Sequence, residues 1–92
     1  MTLPQHLEIN KAVIASDLGD EVVLLDTARE HYYSLSGVGR RFWQLVSKDT
    51  NVDAVIATLL SEFDTSEAQL RADLATLLAE LLEHKLMGAA LP

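Results

Sequence analysis

The chain has 92 residues, of which 49% are apolar, and this predicts one small folded domain, residues 1–92, rather than a disordered segment. Its formal net charge of −7, without clustered Lys or Arg beyond Arg40 and Arg41, argues against nucleic-acid binding. The sequence has no cysteine and no apolar stretch near the ~20 residues of a membrane span, which excludes a disulfide framework, a thiolate nucleophile and a transmembrane helix.

The first half of the chain predicts three short strands. The N-terminal segment has neither a basic start nor an apolar run, so we expect no signal peptide. Aliphatic and β-branched residues then predict strands at 12–15, 21–26 and 31–35. The connections, at 17–20 with Gly19 and at 27–30, are short, which favours an antiparallel meander.

The second half predicts three amphipathic helices. Ser36 is the expected N-cap of the first helix, with its hydroxyl accepting from backbone amides, and Thr50 or Asn51 is expected to cap the second. Ser66 and Gln69 have the spacing of a capping box at the start of a third helix that runs to about His84. A three-stranded meander needs such helices to cover one face, so the predicted fold class is α+β, a three-stranded antiparallel sheet followed by three helices.

The order of these segments resembles a known family. EVVLLD at 21–26, HYYSLSGVG at 31–39 and FWQL at 42–45, followed by a leucine-rich helix, resemble the PqqD family, the leader-recognition elements of ribosomally made, modified peptides. Within it the chain is most similar to the stand-alone B1 proteins of lasso-peptide clusters. It departs from the family at Ser36, where many members have Asn, and at Lys85, where many have Gly.

The resemblance implies a winged helix-turn-helix-like fold and a function without catalysis or cofactor. The leader segment of a precursor peptide is expected to add as a strand to the third strand, with its side chains in the cleft beside the third helix. The implied partners are a B2-type leader peptidase and an asparagine-synthetase-like cyclase. The expected location is the cytoplasm, with neither nucleic acid nor membrane as a partner.

The residues themselves agree with strand addition. No proline interrupts 31–35, so its backbone can pair with a guest strand, and the leucines of the third helix can supply side-chain pockets. The predicted peptide-binding residues are the third strand and one face of the third helix: His31, Tyr32, Tyr33, Ser34, Leu35, Leu70, Asp73, Leu74, Leu77 and Leu78.

Several of these residues have a second interpretation. The leucines could serve only the core, and by alternation Tyr33 and Leu35 face it, whereas Tyr32 either contacts the guest or covers the surface. Asp73 either accepts a hydrogen bond from the guest or is a solvated helix charge. Arg40 and Arg41 could contact a downstream enzyme or only water.

The alternatives to leader binding are a winged-helix DNA-binding protein and another protein-interaction module. Catalysis is not expected, because Ser34 and Ser36 lack an evident base. A metal site is not expected either, because His6, His31 and His84 lack ligand spacing.

Overall fold

The computed structural model describes residues 4–89, so the first three residues of the segment considered for a signal peptide lie outside it. In chain order the elements are β1 Leu7–Ile9, β2 Val13–Asp17, β3 Glu21–Asp26, β4 His31–Ser36, α1 Gly37–Val46, α2 Val52–Glu62, α3 Glu67–Glu83 and β5 Met87–Ala89. None of the helices in this range is long and apolar enough to cross a membrane.

The main sheet has the predicted antiparallel order β2-β3-β4. The turn between β2 and β3 is held by Asp17, whose Oδ1 accepts from the N–H of Gly19 at 2.9 Å, and Gly19 has a φ of +98°. The turn between β3 and β4 is held by the buried Asp26, which accepts from the N–H groups of Ala28 and Arg29. The predicted three-stranded sheet with three following helices is therefore confirmed.

A second, two-stranded sheet pairs β1 with β5 and was not predicted. Leu7 and Met87 bury their side chains in the core from this sheet, and the N–H of Leu7 donates to the carbonyl of Thr50 at 3.1 Å. Strands of three residues are too short to show a period-two pattern, which is why the sequence did not reveal them.

The core lies between one face of the main sheet and the three helices. Val22 and Leu24 of β3 point into it, with Phe42 and Trp43 of α1, Ile56 and Leu59 of α2 and a row of leucines from α3. Each fully buried side chain of this kind contributes about 1.5–3 kcal/mol, which offsets part of the entropy lost on ordering the chain.

The caps of α2 and α3 are the predicted residues. Asn51 accepts from the N–H of Ala54, and Ser66 accepts from the N–H of Gln69, both at 3.1 Å. The reciprocal half of the capping box is absent, because the side chain of Gln69 donates to Asp73 Oδ1 at 2.9 Å instead.

The prediction for the Ser36 hydroxyl was wrong. Ser36 precedes α1, but its side chain makes no capping hydrogen bond. Ser36 is the extended last residue of β4, and Gly37 then turns the chain with a φ of +56°. With its first residue in the left-handed region, α1 does not begin with the geometry that brings a capping hydroxyl to the free amides.

Candidate functional site

The strand β4 is at one end of the main sheet, and within residues 4–89 no strand pairs with its outer edge. Hydrogen bonds at the two ends of the β2–β3 ladder show how the backbone groups alternate. The N–H of Thr27 donates to Ala12 O at 3.0 Å, and the N–H of Leu18 donates to Glu21 O at 2.8 Å. Because hydrogen-bonded and non-bonded pairs alternate, the odd-numbered residues of β3 bond to β2 and its even-numbered residues bond to β4.

This alternation identifies the free backbone groups of β4. Leu24 is even-numbered and pairs with Tyr33, so the N–H and C=O of Tyr33 face β3. Tyr32 and Ser34 lie between the bonded pairs and direct their N–H and C=O groups to the open edge. The sequence predicted that the backbone of all five residues 31–35 could pair with a guest strand. The structure shows that free N–H and C=O groups face the edge only at alternate residues.

The side chains of β4 alternate as the sequence predicted. Tyr33 and Leu35 are partly buried and pack against the core. Tyr32 is 73% exposed, and Ser34 is exposed on the same face, where its hydroxyl donates to Glu21 Oε2 at 2.8 Å. The strand thus presents an apolar side toward the helices and an open side toward solvent.

A cleft of about 320 Å³ lies between β4 and the C-terminal half of α3. Its lining consists of Tyr33, Ser34 and Leu35 from β4, Leu77, Glu80 and Leu81 from α3, and His84 and Leu86 beyond the helix. An open backbone edge and an apolar cleft therefore adjoin each other along β4.

One face of α3 forms the wall of this cleft. Leu77, Glu80, Leu81 and His84 follow the spacing i, i+3, i+4 and i+7, which places them in one stripe. Leu81 is only 3% exposed, Leu77 is partly buried, and Glu80 is exposed. The wall is thus apolar toward the core and acidic toward the solvent.

At the end of α3 the strand and the helix are joined. The rings of Tyr33 and His84 are in contact, with centroids 4.8 Å apart and planes inclined by 40°. The carbonyl of His84 accepts from Arg29 Nη1 at 3.0 Å, which ties the β3–β4 turn to the helix terminus. These contacts hold β4 and α3 at a fixed separation.

Helix α3 ends in a Schellman motif, in which two N–H groups beyond the helix bond back to its last turn. The N–H of Leu86 donates to Leu81 O at 2.9 Å, and the N–H of Lys85 donates to Leu82 O at 3.1 Å. Lys85 is the left-handed residue of this motif, with a φ of +58°, a conformation that favours Gly. A Gly at this position would adopt the conformation without a Cβ penalty, and Lys85 adopts it with its Cβ in place.

Gly39 of α1 lies where the helix approaches both walls of the cleft. A Cβ at this position would lie 3.5 Å from Leu77 Cδ2 and 3.8 Å from Leu35 Cβ, which are ordinary contact distances. The start of α1 is therefore packed against β4 and α3.

The structure brings together four of the ten residues predicted for the site, Tyr33, Ser34, Leu35 and Leu77. His31 and Tyr32 lie on β4 but do not line the cleft, and Asp73 is exposed on α3. Leu70, Leu74 and Leu78 are each 1% exposed and belong to the core, as the competing interpretation of the leucines held.

Sequence reasoning missed four cleft residues: Glu80, Leu81, His84 and Leu86. A signal was available for three of them, because a helical stripe continued from Leu77 passes through Glu80, Leu81 and His84. The stripe through Leu70, Leu74 and Leu78 looked equally apolar in the sequence, and only the packing distinguishes them.

The arginines are engaged within the chain. Arg40 binds Asp17 at 2.8 Å, with Gln44 as a further donor to that carboxylate, and Arg41 binds Glu62 at 2.7 Å. The N–H of Gly19, and after it Arg40, holds the pKa of Asp17 below its ordinary value. Arg40 and Arg41 are therefore partly exposed and paired with carboxylates of the same chain.

Two other arginines make internal bonds as well. Arg71 donates to Glu67 at 3.0 Å and to Asp53 at 3.4 Å, and Arg29 donates to His84 as described above. All four arginines of the sequence are thus committed to groups of the same chain, which is unfavourable for a phosphate-binding surface.

A larger opening, of about 590 Å³, lies between the two-stranded sheet and the end of α3. Its lining includes the charged residues Glu8, Lys11 and Lys85. The smaller cleft beside β4 is the candidate site, because it combines an apolar wall with unpaired strand groups. In the part of the chain that the structure describes, no three His, Asp or Glu side chains are placed to hold a metal ion.

Comparisons with known proteins agree with this geometry. Residues 21–87, from β3 to the start of β5, match the family profile described as coenzyme PQQ synthesis protein D (PqqD). No curated protein sequence matches the chain significantly.

Two solved structures have a similar fold. The first is described as "TbiB1 in Complex with the TbiA(beta) Leader Peptide"; it has a TM-score of 0.85 and 26% identity, over 92% of this chain and 99% of that chain. The second is described as "Lasso peptide synthetase B1 complexed with the leader peptide"; it has a TM-score of 0.78 and 21% identity, over 95% and 99% of the two chains.

Proposed function

Because the PqqD profile matches residues 21–87, the chain belongs to the PqqD family, and we propose that it binds the leader segment of a ribosomally made precursor peptide. Both similar chains were solved with leader peptides, and by analogy with the second, described as a lasso peptide synthetase B1, the proposed precursor is a lasso-type peptide. The leader adds to β4 as a further strand.

The observation that carries this proposal is the open edge of β4 beside the apolar cleft. The unpaired N–H and C=O groups of Tyr32 and Ser34 supply the hydrogen bonds that an added strand requires. Such backbone bonds hold any extended peptide, so they give affinity and little selectivity.

Selectivity comes from the cleft. Every second side chain of the added strand points toward α3, where Tyr33, Leu35 and Leu77 offer apolar surface. Glu80 at the exposed side of the wall favours a guest group that can donate a hydrogen bond or carries positive charge. Burial of one apolar guest side chain there contributes favourable binding free energy of about 25 cal/mol for each Å² of apolar surface buried.

The test is titration calorimetry with a synthetic peptide that has the sequence of the leader encoded beside the gene. We expect a dissociation constant in the micromolar range or below, and no binding of a scrambled peptide of the same composition. Absence of heat with the leader peptide would reject the proposal.

In this function the protein is an adaptor and not a catalyst. We propose that the complex presents the precursor to a B2-type leader peptidase and to an asparagine-synthetase-like cyclase in the cytoplasm. We expect this protein and the peptidase to co-elute as a three-component complex with the leader peptide, and to elute separately when the leader peptide is left out. Co-elution that ignores the leader would contradict presentation.

A further inference from the structure

The outer face of the main sheet carries a row of exposed apolar side chains. Ile14, Leu25 and Tyr32 lie on neighbouring strands and are direct partners in the strand register, Ile14 with Leu25 and Leu25 with Tyr32. Their exposed fractions are 56%, 41% and 73%. The row runs straight across the sheet and ends on β4.

Nothing in residues 4–89 covers this row, because the helices pack on the opposite face. Exposed large apolar side chains are few in the same range, and three of the four belong to the row. The fourth, Leu18, is in the turn between β2 and β3 and is 61% exposed. The next row on the outer face, Ser16, Val23 and Ser34, has hydroxyl side chains on both outer strands.

Building on the proposed function, we propose that this row is a second recognition surface for the leader. A strand added to β4 turns every second side chain outward, away from the cleft, and one of these lies beside Tyr32. An apolar or aromatic guest residue at that position extends the row from three strands to four. Cross-strand pairs of this kind are the unit by which neighbouring strands stabilise each other.

The position of the row favours the guest strand as its occupant. Its most exposed member, Tyr32, is also one of the residues whose backbone N–H and C=O face the open edge, so this residue offers both hydrogen bonds and a side-chain contact. A second copy of the chain is a less suitable occupant, since each copy carries a net charge of −7 and the two would repel each other.

Two matched variants test the inference. Tyr32→Thr removes the aromatic ring but keeps a residue that suits strands, and Leu18→Thr removes a comparably exposed apolar side chain outside the row. The probe is the leader peptide and its single alanine variants, titrated against the unaltered protein and both protein variants. Circular dichroism verifies that each variant is folded.

We expect Tyr32→Thr to weaken leader binding about three- to fivefold, and Leu18→Thr to leave it unchanged. One outward-facing peptide position should lose affinity on alanine substitution with the unaltered protein but not with Tyr32→Thr. Peptide positions that face the cleft should lose the same factor with both proteins.

Each other outcome has a definite meaning. The inference is overturned, and leader binding is left intact, if Tyr32→Thr binds the leader as tightly as the unaltered protein does. It is also overturned if each alanine substitution in the peptide costs the same affinity with both proteins. No binding by the unaltered protein overturns both proposals. If Ile14→Thr changes the sedimentation behaviour from dimer to monomer and the peptide coupling is absent, a second copy occupies the row and the inference is wrong.

Discussion

The ring of Tyr33 on β4 rests against the imidazole of His84 at the end of α3, with ring centroids 4.8 Å apart. This contact, together with the bond from Arg29 to the His84 carbonyl, fixes one end of the cleft before any peptide arrives. A site that is already formed does not spend binding free energy on ordering its own walls.

The alternation along β4 predicts that proline at Ser34 impairs leader binding, whereas proline at the neighbouring Tyr33 impairs stability. Ser34→Pro removes an N–H that faces the edge, so the sheet should stay intact while leader binding weakens by about tenfold or more. Ser34→Ala keeps the N–H and is the matched control, with near-normal binding. Calorimetry gives the affinities, and full binding by a folded Ser34→Pro protein would contradict strand addition at this residue.

Tyr33→Pro should damage the fold itself. The N–H of Tyr33 faces β3, so proline there removes a ladder hydrogen bond between the two strands. We expect a clearly lower midpoint of urea unfolding than for Ser34→Pro, and comparable midpoints for the two variants would show that the alternation derived for β4 is incorrect.

The wall of the cleft predicts a binding defect that is separate from stability. Leu77→Ala removes apolar surface from the cleft and should weaken leader binding by about 1 kcal/mol, or roughly fivefold. Leu60→Ala is the matched control, because Leu60 is also partly buried against the core but does not line the cleft. Equal leader affinities for the two variants would show that Leu77 does not contribute to leader binding.

The end of α3 predicts a stabilising substitution. Lys85 has a φ of +58°, which costs a residue with a Cβ about 1 kcal/mol, so Lys85→Gly should raise the free energy of unfolding by about that amount. Lys85→Ala retains the Cβ and should give no gain. The comparison uses urea denaturation of both variants, and a gain shared by both would point to the lost charge as the cause.

The turn at Asp17 predicts a dependence of stability on pH. The N–H of Gly19 and, after it, Arg40 lower the pKa of Asp17 from its ordinary value of 3.8. The folded protein therefore gains stability from the carboxylate above that pH and loses it as the pH falls through the lowered pKa. Asp17→Asn should be less stable than the unaltered protein at neutral pH, and the difference should shrink below pH 3.8.

The same comparison can separate the two causes of the lowered pKa. Added salt screens the exposed bond to Arg40 more than the hydrogen bond from Gly19, so part of the difference should survive at high ionic strength. If the difference in free energy of unfolding between the two proteins does not change with pH, the charge of Asp17 does not contribute to stability.

The features that follow from local patterns were predictable. Short runs rich in aliphatic and β-branched residues, bounded by turns, indicated the three strands of the main sheet. Asn51 and Ser66 are caps whose hydrogen bonds involve only residues three positions away. The predicted cap at Ser36 was wrong because capping depends on the backbone angle φ of Gly37, which connects β4 to α1 and cannot be inferred from the local sequence.

The candidate site was predictable as a strand beside a helix but not in its details. Which leucines of α3 face β4 depends on the rotation of the helix against the sheet, so Leu77 and Leu78 could not be separated beforehand. The open backbone groups depend on the register of β2, β3 and β4, which is set by two turns together. Both quantities are properties of packing and not of any single segment.

The pairing of Leu7 with Ala89 brings residues that are far apart in the sequence next to each other in one small sheet. A domain whose entry and exit adjoin in this way can be inserted into a surface loop of another protein without separating the ends of that loop. We therefore expect residues 4–89 to keep their fold when they are inserted into such a loop.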